Sequence, residues 1–278
     1  MDVETQRAKA EALGELHKGP EILILPNAWD VGSARFLAGA GFSAMGTTSA
    51  GIAFALGYPD GERISREQML DVVGRITAAV PLPVTADIEA GYGPSPEAVA
   101  ESVKRAVEAG AVGINIEDST GCASDPLFEI ALAVERIRAA RKAANAAGVP
   151  LVINARTDGY MVNGGNGEDV FEESVRRANA YRAAGADCLF VPMVGDAPTI
   201  GQLVERIDGP VNVLAGPTTV PVAELQALGV ARVSIGSSLA RAAYGLMKRA
   251  AEELLGPGTF DFTKDAVPFA DINRMFER

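Results

Sequence analysis

A chain of 278 residues with 48% hydrophobic and 22% charged content can bury one large core and has the make-up of an ordinary globular protein. Its net charge of −11, with no basic block to offset it, excludes nucleic acid and anionic membrane surfaces as partners, and no apolar run is long enough to cross a bilayer. Two cysteines, Cys122 and Cys188, make no disulfide framework, and the charged 1–19 segment lacks a signal-peptide core, so the expectation is one soluble, cytoplasmic domain over 1–278.

Short apolar runs alternate with longer amphipathic stretches along the whole chain. The runs predict strands at 22–26, 44–48, 84–88, 112–117, 151–155, 188–192, 211–214 and 232–236. They are continuously apolar rather than alternating, as parallel strands covered on both faces require. Helices are expected between them, among them 96–109, 127–147, 168–184 and 221–228, with Ser95-Pro96 and Pro221 as start signals. Gly41, Gly110, Gly185 and Gly229 each fall between a helix and the next strand, where a C-terminal glycine closes a short loop. Eight strands with intervening helices predict a (β/α)8 TIM barrel, with a doubly wound open sheet as the competitor. After Gly256-Pro257-Gly258 comes a phenylalanine-rich tail, 259–278, expected to dock on its own barrel or on a neighbouring subunit.

The segment from Val84 to Gly93 carries the most chemistry. An apolar run ends there in Asp87 and Glu89, spaced to share one strand face, and glycines follow that let the backbone turn away. Buried carboxylates need a satisfier, and a hard cation such as Mg2+ fits oxygen donors. A barrel places its active site at the C-terminal strand ends. In this chain those ends read Asn27, Thr47-Thr48-Ser49, Asp87/Glu89, Glu117/Asp118, Arg156/Asp158, Met193, Asn212 and Ser237. The pattern points to a metal site beside an anion site, with Arg156 forked onto a substrate carboxylate. The competing reading pairs Arg156 with Asp158 or Glu117 as a salt bridge at the barrel mouth.

The inventory removes other chemistries. The single histidine, His17, precedes the first strand and reads as an exposed or helix-end residue. All lysines lie in helical or terminal segments, which disfavours Schiff-base catalysis. Histidine-based metal sites, Ser-His-Asp catalysis and a dinucleotide fingerprint are missing as well. What remains is metal-assisted electrophilic chemistry on an anionic substrate. The glycine-rich stretch 163–167 reads as an exposed βα loop, with a lid as the alternative.

Five stretches in order, Leu25-Pro26-Asn27-Ala28-Trp29-Asp30, Thr48-Ser49-Ala50-Gly51 with Gly57-Tyr58-Pro59-Asp60, Asp87 to Gly93, Ile116-Glu117-Asp118 and Asn154-Ala155-Arg156-Thr157, resemble the isocitrate lyase/phosphoenolpyruvate mutase superfamily. The resemblance implies a TIM barrel whose C-terminal helix is exchanged between subunits, a homo-oligomer (dimer or tetramer), and Mg2+, with Mn2+ as a substitute. It implies Asp87 as direct metal ligand, with Glu89 and Glu117 acting through metal-bound water; Glu89 stands where many members carry a second aspartate. Thr48, Ser49 and Ala50 match the loop that holds the substrate carboxylate, Arg156 the arginine opposing it, Asp60 an acid on a mobile segment, and Asn212 a substrate-side amide. Catalysis is therefore expected from Asp60, Arg156 and Ser49. The lyase branch's Lys-Lys-Cys-Gly-His loop and the mutase branch's lysine and asparagine are both absent from Ser119-Thr120-Gly121-Cys122-Ala123-Ser124-Asp125. The expected activity is a Mg2+-dependent carbon–carbon lyase or decarboxylase acting on a small, oxaloacetate-like 2-oxo acid through a metal-stabilised enolate. The alternatives are a 2-methylisocitrate-lyase-like enzyme using Cys122, a mutase- or phosphonopyruvate-hydrolase-like activity, and a protein that binds a 2-oxo dicarboxylate with little turnover.

Overall fold

The computed structural model describes residues 2–162 and 167–277; residues 163–166 of the expected βα loop lie outside the described residues. Among the described residues nine short parallel strands form the inner wall: β1 (Leu23–Leu25), β2 (Asn27–Ala28), β3 (Met45–Thr47), β4 (Val84–Asp87), β5 (Gly113–Glu117), β6 (Val152–Arg156), β7 (Cys188–Phe190), β8 (Val211–Leu214) and β9 (Arg232–Ser234). They hydrogen-bond in the order β1-β9-β8-β7-β6-β5-β4-β3-β2. The expected first strand, 22–26, stops before Pro26, which has no N–H for the ladder, and a further short strand follows it at Asn27–Ala28. The Pro26 carbonyl still accepts from the N–H of Gly46 at 2.8 Å. The strand before Pro26 pairs with β9 and the short strand after it with β3. Together they close the (β/α)8 barrel, and the open-sheet alternative falls.

Around the wall the described residues form twelve α-helices: α1 (Val3–Leu16), α2 (Val31–Gly39), α3 (Ser49–Ala55), α4 (Arg66–Ala79), α5 (Pro96–Glu108), α6 (Ile130–Ala146), α7 (Gly159–Val162), α8 (Glu168–Ala183), α9 (Ala197–Arg206), α10 (Val222–Ala227), α11 (Ser238–Leu255) and α12 (Phe269–Phe276). Among the described residues no helix is long and apolar enough to cross a membrane. Helix α5 shows how the sequence builds one of them. Ser95 caps it, its hydroxyl accepting from the N–H of Ala98 at 3.2 Å, and Pro96 supplies a first position that needs no N–H. Val99, Val103, Ala106 and Val107 then recur on one face and are buried against the sheet. Each buried valine stabilises the layer by about 1.5–3 kcal/mol. Past its end Gly110 takes φ +87°, and Gly41, Gly185 and Gly229 also adopt positive φ after their helices, as the junctions predicted.

Helix α1 closes the N-terminal end of the barrel. Gln6 donates to the carbonyls of Val107 and Ala111 at 2.8 and 2.9 Å, and His17 caps the helix with its Nδ1 on the carbonyl of Leu13 at 2.8 Å. His17 is thus the helix-end residue that the sequence offered as one of two readings, and at 5% exposure it is not the exposed one. At the other terminus α12 lies along α2, where Arg35 donates to the carbonyl of Phe276 at 2.9 Å.

Candidate active site

Strand β3 runs directly into α3, with Thr48 as N-cap, its hydroxyl accepting from the N–H of Gly51 at 3.3 Å. That turn buries Thr48, Ser49 and Ala50 at the C-terminal end of the wall. Asp87 ends the neighbouring strand. Its Oδ2 accepts from both the N–H and the hydroxyl of Ser49, at 3.0 and 2.8 Å, and its Oδ1 accepts from the Asn115 amide at 3.0 Å. Its own N–H donates to the Thr47 hydroxyl at 2.9 Å. Asn154 donates to Asn115 at 2.9 Å, so polar groups on three successive strands lead to one carboxylate. Continuously apolar runs hid Asn115 and Asn154; their only signal was an amide inside each run.

Glu89 departs from the sequence reading. The strand stops at Asp87, and Glu89 turns into the left-handed region with φ +52°. The two acids therefore do not alternate on one extended face. Glu89 is buried at 3% exposure; its carboxylate accepts from the N–H of Glu62, and from the Tyr92 hydroxyl at 3.2 Å. Tyr92 also has positive φ, +59°. A non-glycine residue in that region is strained unless its surroundings fix it. Here Arg66 donates to the Tyr92 carbonyl at 2.9 Å and Glu62 accepts from the Tyr92 N–H at 2.6 Å, and the flanking residues are held by Arg136 of α6, buried at 1% exposure over the Phe128 ring. It donates to the carbonyls of Gly93 and Pro94 at 2.7 Å each and to that of Ala90. Nothing in the helical pattern of 130–146 distinguished this arginine from its exposed neighbours.

Arg156, at the end of β6, pairs with Glu117 at 2.9 Å and with Asp158 at 2.5 and 3.0 Å. The salt-bridge reading is thus realised, while the side chain still lines the cavity at the mouth. Asp118 serves a separate network: it accepts from the Tyr181 hydroxyl at 2.5 Å, from Arg177 at 3.2 Å and from the N–H of Asp158 at 2.9 Å. The cavity, about 160 Å³, is lined by Thr48, Ser49, Ala50, Asp60, Asp87 and Arg156 among others. Glu89 and Glu117 stand outside that lining. So does Asn212, fully buried and paired with Ser234 at 3.2 Å. Cys122 is exposed on the 119–127 loop and also lies outside it. Neither lysine nor histidine lines the cavity among the described residues.

Acid titration at the mouth is displaced upward. Burial, with the charges of Asp87, Asp60 and Glu62 adding to it, pushes Glu89 up to about 7. Burial also raises Glu117 well above the usual carboxylate range despite the counter-charge of Arg156. The Asp60 carboxyl rises for the same reason, with Asp87 adding to it. Among the described residues no three acids converge as a cage of direct metal ligands. One partly exposed carboxylate, Asp87, within electrostatic reach of several acids that repel one another suits a hydrated divalent ion, since Mg2+ keeps most of its waters and takes one or two carboxylates. The donor set fits that ion.

The phosphoenolpyruvate phosphomutase family matches residues 13–255. A crystal structure from Burkholderia cenocepacia J2315, of a protein provisionally described as a lyase/mutase, is 46% identical, covers 99% of this chain and 98% of its own, and superposes with a TM-score of 0.93. Oxaloacetate decarboxylase of Rhodopseudomonas palustris (strain BisB18) is 31% identical over 222 residues, 77% of this chain and 73% of that enzyme. 2-Methylisocitrate lyase of Escherichia coli (strain K12) is 33% identical over 177 residues, 62% of this chain and 58% of that enzyme.

Proposed function

We propose that this chain, which belongs to the phosphoenolpyruvate phosphomutase family within the isocitrate lyase/phosphoenolpyruvate mutase superfamily of 2-oxo acid lyases and mutases, is a Mg2+-dependent lyase that breaks a C3 bond of a small, oxaloacetate-like 2-oxo acid. The observation that carries this reading is Asp87 at the end of β4, facing Ser49 and sharing a small polar cavity with Arg156 and Asp60 but with no lysine or histidine among the described residues. Asp87 would hold the ion directly and Glu89 and Glu117 through water; when bound, it would supply Lewis-acid polarisation of the carbonyl, worth several kcal/mol.

The protein's own groups do the rest. Thr48, Ser49 and Ala50 line the wall where the C1 carboxylate would sit, the Ser49 N–H and hydroxyl passing to it from Asp87, and Arg156 opposes it across the cavity. Decarboxylation needs no general base for the cleavage step. The electron pair of the breaking C3 bond moves to the carbonyl, and a proton must then return to C3. Asp60 suits that return, because burial and the charge of Asp87 keep its carboxyl protonated to higher pH than an ordinary aspartate. The cysteine-dependent alternative has weaker support, since Cys122 is exposed and lies off the cavity.

CO2 and pyruvate release from oxaloacetate, assayed with Mg2+ and with chelator, tests the reading. Asp87→Ala is expected to lower the rate about 1000-fold, as loss of several kcal/mol of transition-state stabilisation implies. Equal rates for wild type and variant would overturn it, and tight binding without product would favour the binding-protein alternative. We propose a homo-oligomer as well, its tail covering a second copy: Leu255, Phe269 and Phe260 are 90%, 83% and 65% exposed in one chain. Light scattering on the same samples should give a dimer or tetramer, and a monomer would remove that proposal.

A further inference from the structure

One cation inside the barrel takes no part in the chemistry above. Arg232 opens β9, registered beside Leu23 on one side and Asn212 on the other. It shares the inward strand face with Ser234, which bonds Asn212 in the interior. The residue is 2% exposed, and it lines the same cavity as Asp87 and Ser49, at the inner end. Its Nε and Nη1 have no hydrogen-bond partner among the described residues. The Thr85 hydroxyl, on the wall of the same cavity, has none either. The ion pairs of this region go to Arg156 and Arg177 instead. Burial pushes the guanidinium down to about 10, and the Cys188 thiol first and Asp87 second offset that only in part.

Two features make this cation a site rather than packing. Barrel interiors of this type are ordinarily filled by layers of bulky apolar side chains. Here the lining beside Arg232 is largely polar instead, with Asn27, Thr47, Thr85, Asn115 and Ser234 on the same cavity. Second, a buried charge with unused donors is costly until an opposite charge meets it. A guanidinium fork matches a carboxylate in both charge and shape.

We propose that Arg232 forms a second anion subsite that makes the cavity selective for a compact dicarboxylate, one carboxylate held at the mouth by Ser49 and Arg156 and the other at Arg232. The placement of the first carboxylate rests on the function proposed above; the selectivity itself rests on the buried cation. Arg232 is here a specificity residue and takes no part in bond breaking.

Calorimetric titration with malonate and with pyruvate, both in Mg2+, tests this on the intact protein. Malonate carries two carboxylates and pyruvate one. Arg232→Met should weaken malonate at least about tenfold and leave pyruvate within about twofold, while Arg232→Lys should recover part of the loss, as expected for one lost charge-assisted contact. Equal changes for both ligands, or no change for either, would overturn the subsite. Ligand-free Arg232→Met should melt at or above the wild-type temperature, because it removes an unpaired buried charge. A variant that fails to fold would show that the guanidinium already has its partner, and would overturn the proposal equally. The two readings separate cleanly. A wild type that turns over no 2-oxo acid yet loses malonate selectivity in the variant would remove the lyase reading alone.

Discussion

At the mouth of the barrel Arg156 touches two carboxylates, Glu117 at 2.9 Å and Asp158 at 2.5 Å, and in the interior Arg232 pairs with none among the described residues. Both guanidiniums sit in little solvent, the first side chain at 17% exposure and the second residue at 2%. Their difference is therefore one of partners rather than of depth. The paired arginine offsets acids that burial and mutual repulsion lift out of their usual range. The unpaired one has nothing to offset. A compensated charge holds the rim together, and an uncompensated one leaves room for a ligand's charge.

Breaking the rim pair is the most severe test of that contrast. Arg156→Met leaves Glu117 and Asp158 buried without their cation, so unfolding in urea should show a loss of about 3–5 kcal/mol. The sign with pH follows from Glu117, whose carboxyl is already raised by burial. An acid whose folded pKa is raised favours the fold while protonated, below its unfolded value, and that stability is lost as pH rises. Without Arg156 the carboxyl rises further, so the deficit should be larger at pH 8 than at pH 5. A deficit below about 1 kcal/mol, equal at both pH values, would place this pair with ordinary surface ion pairs.

The interior end is sharpened by His17, which lies within the electrostatic reach of Arg232. Burial first, and the charge of Arg232 second, push its imidazole down to about 4 from an ordinary 6.5. For a base held neutral the sign reverses: stability is present above the unfolded pKa and is lost as pH falls from 6.5 towards 4. Wild type should lose up to about 3 kcal/mol relative to His17→Gln across that window, since each tenfold change in proton affinity is worth about 1.4 kcal/mol. In an Arg232→Met background the loss should shrink, because one cause of the depressed pKa has gone. Identical acid unfolding curves for wild type and His17→Gln would mean that the imidazole is not held neutral by the fold.

Much of this arrangement was legible in the chain. Continuous apolar runs ending in polar residues marked the strands, and glycines after the helices marked their order. The residues collected at the strand ends include Ser49, Asp87 and Arg156, which the fold does bring to one cavity. Local conformation and inward polar groups were not legible. The wall resumes past Pro26 in a two-residue strand, Asn27–Ala28, that the apolar run did not include, and Glu89 leaves the extended region that the i, i+2 spacing assumed. Asn115, Asn154 and Arg232 sit in runs whose periodicity is masked by burial on both faces, so nothing local shows which side chains point inward. Arg136 carries a tertiary role, clamping three carbonyls, that helical periodicity cannot encode.

The smallest effect is expected at Cys122, on the rim but off the cavity. Its Sγ lies 3.2 Å from the Ser124 hydroxyl, and that hydrogen bond holds the thiol below its ordinary pKa. Thiolate character alone does not make a catalyst; the sulfur must also reach the reacting atoms. The loop that carries it is tied back on itself by a bridge between Ser119 and Leu127 and by the N–H of Thr120 on the carbonyl of Pro126 at 3.0 Å. Cys122→Ser should therefore keep kcat within about twofold and stability within about 0.5 kcal/mol, as for surface substitutions away from a site. A tenfold fall in kcat with KM unchanged would require the loop to fold over the cavity during turnover. The mouth would then be a moving part rather than a fixed rim, and the pairing of Arg156 with Glu117 and Asp158 would describe its open state.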